Sequence, residues 1–189
     1  FGDLASLAER HVASLCESCG YTPKCETLTE LCVIHAYLCV HSLLLDSRCD
    51  GHALDEQDFL DVSPLLISAI RRIHSVAMNM APAAAHELVS KLESHVLRQR
   101  DSLLDEIRFR SLPFCPCMQE ERESIIGRAS CVFFMLDLIS FLSARPTPVT
   151  VLHGLGDYLY WSQLADDLGD WREDYRRGNY SSFLRTCFA

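Results

Sequence analysis

Apolar residues recur along this chain with the spacing of amphipathic helices, and alternation of the strand type never runs for long. The pattern predicts six helices, separated by turns that are rich in Gly and Pro. Their expected ranges are 3–16, 27 to about 50, 62–80, 83 to about 110, 118–143 and 149 to about 177. There is no internal repeat and no evident linker, so residues 1–189 are expected to form one all-α bundle.

Local signals refine several of these helices. Thr27 followed by Glu30 has the spacing of a capping box and predicts where the second helix begins. Pro64 after Ser63 predicts the start of the third helix, because proline is favoured in the first turn. Glycines near residues 154–156 indicate a weak point in the sixth helix.

Composition excludes several classes of protein. Apolar residues make up 49% of the chain and charged residues 23%, which is enough for a packed core. The formal charge of −9 opposes a general nucleic-acid binder, since phosphate backbones attract basic proteins. No run of 18 apolar residues predicts a membrane span; residues 131–144 come nearest but include Asp137. No signal peptide is visible, and the missing initial Met indicates a trimmed or partial chain.

The chain has ten cysteines in 189 residues, which is a high number but a proportion well short of that in a small disulfide scaffold. Most lie in apolar helical stretches, where free Cys packs as a small hydrophobe. Cys16-x-x-Cys19 and Cys115-x-Cys117 could suggest zinc, but no second C-x-x-C pair completes a site. A reducing, cytoplasmic compartment is expected, and the redox state of the cysteines between residues 16 and 25 is left open.

Two groups of acidic residues stand out from this pattern. On a helix, residues 163–177 place five carboxylates, one amide and one guanidinium within an arc of roughly 120°. These residues are Gln163, Asp166, Asp167, Asp170, Glu173, Asp174 and Arg177. A second pair, Asp46 and Asp50, ends the apolar second helix just before Gly51. The ordinary explanation of such a group is an acidic helix face in contact with water. Two features argue against it here: Asp is a weak helix former, and both acidic groups lie at the ends of hydrophobic helices. Their carboxylates suit Mg²⁺.

These segments resemble motifs of the class I isoprenoid synthases. The Asp46/Asp50 pair resembles the first aspartate-rich motif, in the D-x-x-x-D form that is closer to squalene synthases. Residues 163–174 resemble the second aspartate-rich motif of the trans-prenyltransferases. Residues 170–178 are similar to the D-x-x-E-D-x-R-R-G segment of phytoene and squalene synthases. Residues 126–130 resemble a helix that carries a diphosphate-binding Lys or Arg, here Arg128.

The resemblance covers roughly residues 27–185 and implies a bundle of the isoprenoid synthase type. It implies Mg²⁺-dependent ionisation of an allylic prenyl diphosphate, in which metals and basic side chains stabilise the leaving diphosphate. The implied metal ligands are Asp46, Asp50, Asp166, Asp170 and Asp174, with Asp46 and Asp170 as the catalytic pair. The implied diphosphate ligands are Arg128 and Arg177, although Arg177 also has the spacing of an ion pair with Glu173. An apolar cavity would hold the hydrocarbon tail, lined by aromatic residues such as Phe133, Phe134, Tyr160 or Trp161.

The chain departs from the family pattern at two places. Ser47 stands where the usual first motif has a second aspartate. Relatives typically continue with more helices that help close the pocket, whereas fifteen residues follow Asp174 here. We therefore expect a bundle truncated at the C-terminus. A fragment, a chain completed by another chain and an inactive relative all remain open.

The expected function is prenyl transfer or terpene cyclisation, and the second motif favours transfer because no N-S-E type motif is present. The alternative is a catalytically inactive helical relative that acts as a partner subunit. A metal-dependent helical phosphohydrolase is disfavoured, because such enzymes usually combine His with Asp. No Ser/His/Asp grouping is recognisable in the sequence. The expected partner is the prenyl diphosphate substrate, without nucleic acid or a transmembrane segment, and homo-oligomerisation is left open.

Overall fold

A computed structural model describes residues 2–49, 56–80, 82–110, 117–178 and 180–188. Within these ranges the backbone is helical and contains no strand, which confirms the all-α prediction. The helices are α1 (Gly2–Ser18), α2 (Cys25–Cys49), α3 (Glu56–Met80), α4 (Pro82–Arg110), α5 (Met118–Arg128), α6 (Ser130–Ser143), α7 (Val149–Arg177) and α8 (Ser182–Phe188).

Several predicted boundaries are wrong by a few residues. Helix α2 begins at Cys25, ahead of the predicted cap, and Thr29 Oγ1 donates to the Cys25 carbonyl at 3.0 Å. Helix α3 begins at Glu56, so that Pro64 lies inside it. Helix α7 runs unbroken past its glycines. The local capping and glycine signals therefore do not set these boundaries.

The predicted fifth helix is two helices, which meet at Ala129 with a bend of 66°. Ala129 leaves the helical region with φ −91° and ψ 20°, and its N–H bonds the Ile126 carbonyl at 3.2 Å. Two residues earlier, a Cβ atom added to Gly127 would lie 1.9 Å from Ser102 Oγ. Helix α5 therefore approaches α4 closely before the chain turns, and Arg128 ends α5 at this break.

The short helix α8 was not predicted. It is held by Arg185, whose Nε donates to Glu121 Oε1 of α5 at 3.0 Å while Nη1 donates to the Tyr180 carbonyl. The side chains of Arg185 and Glu121 are only 3% and 5% exposed. A paired, buried charge of this kind fixes the position of the segment that carries it.

The core is formed by α1, α2, α3, α4 and α6. Its largest fully buried side chains include Leu31, Ile34 and Leu38 of α2 and Phe134 and Ile139 of α6. By length and hydropathy, residues 25–47 of α2 could cross a membrane, and the bent α5–α6 pair passes the same test if it is taken as one span. Core helices of soluble proteins pass this test too, so the absence of a membrane span stays a prediction. Eight of the cysteines, those whose side chains the structure describes, are free thiols.

Candidate functional site

The candidate site is a cavity of about 370 Å³ between α1, α2, α7 and the α5–α6 break. Most of its wall is apolar. Apolar lining residues include Leu7, Ala8, Val40, Leu43, Val132 and Leu159. Such a cavity, with a few polar groups at fixed places, is the usual form of a site for an apolar ligand.

The polar groups of α2 form one stripe along this cavity. His35, Cys39, Ser42 and Asp46 all line it, and their spacing of four, three and four residues places them on one helix face. At 1.5 Å per residue, His35 and Asp46 lie about 16 Å apart along the helix. The cavity is therefore long, with Asp46 towards one end and an imidazole towards the other.

At the Asp46 end, the guanidinium of Arg128 joins two carboxylates. Arg128 Nη1 lies 3.6 Å from Asp46 Oδ1 and 2.6 Å from Glu106 Oε2 of α4. The Arg128 side chain is 12% exposed and Glu106 16% exposed, so these charges are largely removed from water. The structure thus brings two sequence-predicted residues, Asp46 and Arg128, to one end of the cavity.

Gln163, from the second acidic segment, also lines the cavity. Its Nε2 donates to Asp167 Oδ1 at 2.8 Å, and the Phe183 N–H donates to Asp167 Oδ2 at 3.2 Å. Burial raises the pKa of Asp167, although these hydrogen bonds and nearby Arg128 oppose the shift. Asp167 therefore holds Gln163 at the cavity and ties α7 to α8.

The other predicted site residues are dispersed. Asp166 and Asp170 are exposed on α7 and Asp174 is partly buried, while Asp50 lies outside the described residues. Arg177 forms an exposed ion pair with Glu173, four residues away on the same helix. The described ranges contain no group of three His, Cys, Asp or Glu side chains that could share a metal ion. The Mg²⁺ site stays a prediction.

The sequence analysis missed a histidine pair in the cavity wall. His11 of α1 and His35 share a hydrogen bond of 2.8 Å between Nδ1 and Nε2. Burial, together with the charge of His11, lowers the pKa of His35 to about 4. Cys39 Sγ lies 3.4 Å from His35 Nε2, and burial raises the pKa of this thiol to about 11. The α2 stripe was the signal that could have revealed His35, whereas His11 is recognisable only in the fold.

A Ser/His/Asp grouping also exists, contrary to the sequence analysis. His95 Nδ1 lies 2.8 Å from Ser130 Oγ, and His95 Nε2 lies 2.8 Å from Asp137 Oδ2. Ser130 is fully buried and does not line the cavity, so it cannot reach a substrate there. Burial would raise the pKa of Asp137, but His95 and Lys91 outweigh it and the pKa is lowered. These hydrogen bonds join His95 of α4 to Ser130 and Asp137 of α6. The spacing of the three residues in the sequence does not predict the grouping.

The aromatic residues expected to line the cavity lie elsewhere. Phe134 is fully buried and packs its ring edge-on against His95 at 5.9 Å, while Trp161 is 66% exposed on α7. Neither Phe133 nor Tyr160 is a lining residue. The expectation that these aromatic residues line the cavity is therefore wrong. The Phe134 ring packs in the core, and the Trp161 side chain faces solvent.

No protein-family model, no curated protein and no solved structure matches this chain. The family resemblance therefore rests on the motifs, and the functional argument rests on the cavity and its polar groups.

Proposed function

We propose that this chain binds an allylic prenyl diphosphate in the cavity and ionises it, as the first step of prenyl transfer or terpene cyclisation. One observation carries the proposal: a long apolar cavity has Arg128 and Asp46 in contact at one end, and Gln163 is also in its wall. A prenyl diphosphate has the same polarity, because a charged head is joined to a hydrocarbon tail. The cavity wall would bury the tail, which gains about 25 cal/mol per Å² of apolar surface.

In this proposal the head of the substrate lies beside Arg128. The C–O bond breaks with its electron pair left on the diphosphate oxygen, and an allylic carbocation remains in the cavity. The guanidinium binds the oxygens of the departing diphosphate by charge-assisted hydrogen bonds. For this, Arg128 exchanges a carboxylate partner, Glu106 or Asp46, for the diphosphate. The apolar wall keeps water from the cation.

Mg²⁺ is proposed only from the resemblance to isoprenoid synthases. Asp46 already pairs with Arg128. The side chains of Asp166 and Asp170 are exposed on α7. Among the described residues, no three His, Cys, Asp or Glu side chains lie close enough together to share a metal ion. The chemistry above is therefore assigned to Arg128 and the cavity. The carboxylate oxygens of these aspartates are of the kind that Mg²⁺ prefers, and a bound Mg²⁺ would neutralise part of the charge of the diphosphate.

The test is incubation of the protein with geranyl, farnesyl or geranylgeranyl diphosphate, with Mg²⁺ or with EDTA. Diphosphate release and a hydrocarbon product are expected, and release that persists in EDTA would remove Mg²⁺ from the proposal. Asp170→Ala is expected to abolish Mg²⁺-dependent release if Asp170 is a metal ligand. Asp101→Ala removes an equally exposed carboxylate, which pairs with Arg100 on α4, and is the control.

A second candidate is the inactive relative that acts as a partner subunit. It is favoured by an apolar row on α7, where Tyr158, Trp161, Leu168 and Tyr175 are each more than half exposed. Large exposed apolar side chains in one row are typical of surfaces that another protein covers. Absence of both diphosphate release and Mg²⁺-dependent substrate binding would favour this candidate over the enzyme.

A further inference from the structure

The cavity described above contains two imidazoles far from its charged end. Among its described lining residues, the groups that can gain or lose a proton are His11, His35, Cys39, Cys131, Asp46 and Arg128. The last two form the ion pair where the substrate head is placed. A guanidinium cannot accept a proton, and Asp46 lies about 16 Å along α2 from His35.

The two cavity cysteines are poor proton acceptors. Burial raises the pKa of Cys39 to about 11 and also raises that of Cys131, whose thiol donates to Gln99 Oε1 at 3.1 Å. Both therefore stay protonated near neutral pH, and a thiol accepts a proton only weakly. This leaves the histidine pair as the proton acceptor of the cavity wall.

The geometry of the pair leaves one nitrogen lone pair outside the hydrogen bond between the two rings. Of the two outer nitrogens, His35 Nδ1 lies 3.7 Å from Cys39 Sγ, which is a weak donor. One ring N–H bridges His11 Nδ1 and His35 Nε2 at 2.8 Å, so the two outer nitrogens carry one N–H and one lone pair between them. Burial lowers the pKa of both rings, which keeps them uncharged near pH 7. A weak base is sufficient here, because a carbocation is a far stronger acid than an imidazolium ion.

We propose that the His11–His35 pair is the base that ends the reaction by taking a proton from the carbocation. This inference rests on the proposed function, since it needs the cation formed there. A C–H bond next to the cationic carbon breaks, and its electron pair becomes the new C=C bond. The proton binds the free lone pair of the outer imidazole nitrogen. The positive charge is shared across the hydrogen bond, and the proton later leaves to water.

The pair therefore decides the product rather than the rate of ionisation. Both prenyl transfer and cyclisation pass through a carbocation that can end by losing a proton, so the role does not depend on which of them the chain performs. Without a base near the tail, the cation persists in the apolar cavity until a water molecule reaches it, and the product is then an alcohol. The class of product assigned to this cavity is an olefin.

The experiment compares His11→Gln and His35→Gln with wild type, using farnesyl diphosphate, an assay of diphosphate release and mass spectrometry of the products. The variants are expected to continue to release diphosphate, because ionisation is placed at the Arg128 end of the cavity. Their olefin-forming rate is expected to fall roughly a hundredfold, the usual contribution of a positioned base, while alcohol appears in its place. His11 is less buried than His35, so His11→Gln tests the pair even if His35→Gln fails to fold.

His41→Gln is the matched control, because His41 is as buried as His35 on the same helix but does not line the cavity. It is expected to leave the ratio of olefin to alcohol unchanged. Diphosphate release with an unchanged ratio in both pair variants would overturn the inference alone. No release by wild type would instead overturn the proposed function, and this step with it.

Discussion

Arg128 Nη1 lies 2.6 Å from Glu106 Oε2, which pairs the predicted diphosphate ligand with a carboxylate that no motif marks. The contact joins the last residue of α5 to α4 just before the chain bends by 66°. Asp46 meets the same guanidinium from α2 at 3.6 Å. Three helices are thus connected through one side chain, so Arg128 contributes to the fold as well as to the proposed chemistry.

Arg128→Gln is expected to lower the free energy of unfolding by about 3 kcal/mol, because it removes the cation that pairs with the largely buried Glu106 carboxylate. Urea unfolding measures this directly. Adding Glu106→Gln should recover part of the loss, since the double variant also removes the charge that Arg128 neutralised. Equal stability of the single variant and wild type would show that the guanidinium does not stabilise these carboxylates.

Arg185→Met is expected to cost about 3 kcal/mol, because it removes the cation that pairs with the Glu121 carboxylate at a site that is 5% exposed. Arg177→Met breaks an ion pair too, but that pair with Glu173 is more than half exposed. Its loss should cost at most about 0.5 kcal/mol. Equal changes in urea unfolding of the two variants would contradict the assignment of Arg185 as the residue that holds α8.

Two glycine-to-alanine variants should shift stability in opposite directions. A Cβ at Gly127 would lie 1.9 Å from Ser102 Oγ and 2.9 Å from Ser102 Cβ, so Gly127→Ala is expected to cost about 2 kcal/mol by overpacking α5 against α4. At Gly154 nothing lies within 4 Å. Gly154→Ala should therefore gain about 0.5–1 kcal/mol from helix propensity. Thermal melting of both variants provides the measurement, and a stabilised Gly127→Ala would contradict the close approach.

The sequence predicts the helices well, because the apolar periodicity that defines each one is local. It does not predict the break at Ala129, since this depends on how closely α5 packs against α4. The motifs predict Asp46 and Arg128 in one site, as metal ligand and diphosphate ligand, but they do not predict the ion pair between them or the contact of Arg128 with Glu106. Residues 106 and 128 are 22 positions apart in the sequence and are brought together by the packing of α5 on α4, which no local pattern specifies.

The histidine pair illustrates the same limit. The α2 stripe from His35 to Asp46 can be recognised in the sequence as one face of a helix. The sequence does not show which other helices, or which cavity, lie against this face. His11 is on another helix, and only the packing of α1 on α2 brings its ring to 4.7 Å from that of His35. The metal ligands predicted on α7 share a helix face, and that pattern leaves their distance from Asp46 undetermined.

His95→Ala is expected to cost about 2 kcal/mol, because the fully buried Ser130 hydroxyl loses its hydrogen-bond partner. Ser130→Ala should cost less, because it leaves only the His95 ring nitrogen, which is partly exposed, without this partner. In a double-mutant cycle the two changes should be non-additive. Additive changes in unfolding free energy would show that the 2.8 Å contact contributes no coupling.

The last prediction concerns acid. Burial and the neighbouring His11 lower the pKa of His35 from 6.5 to about 4. The unfolded chain therefore binds more protons than the folded protein between these two values, and stability rises with pH across that window. The contribution is complete above pH 6.5 and is lost as the pH falls towards 4, about 3 kcal/mol in all.

His35→Gln should remove this dependence, so the stability difference between wild type and variant should shrink or reverse as pH falls from 6.5 to 4. The lowered pKa values of His11 and His41 act in the same direction, which is why the measured quantity is the difference and not the wild-type curve alone. His153→Gln, on the exposed face of α7, should leave the curve unchanged. A difference that stays constant across this window would mean that His35 is as readily protonated in the fold as in water, and that burial in the cavity wall does not lower its pKa.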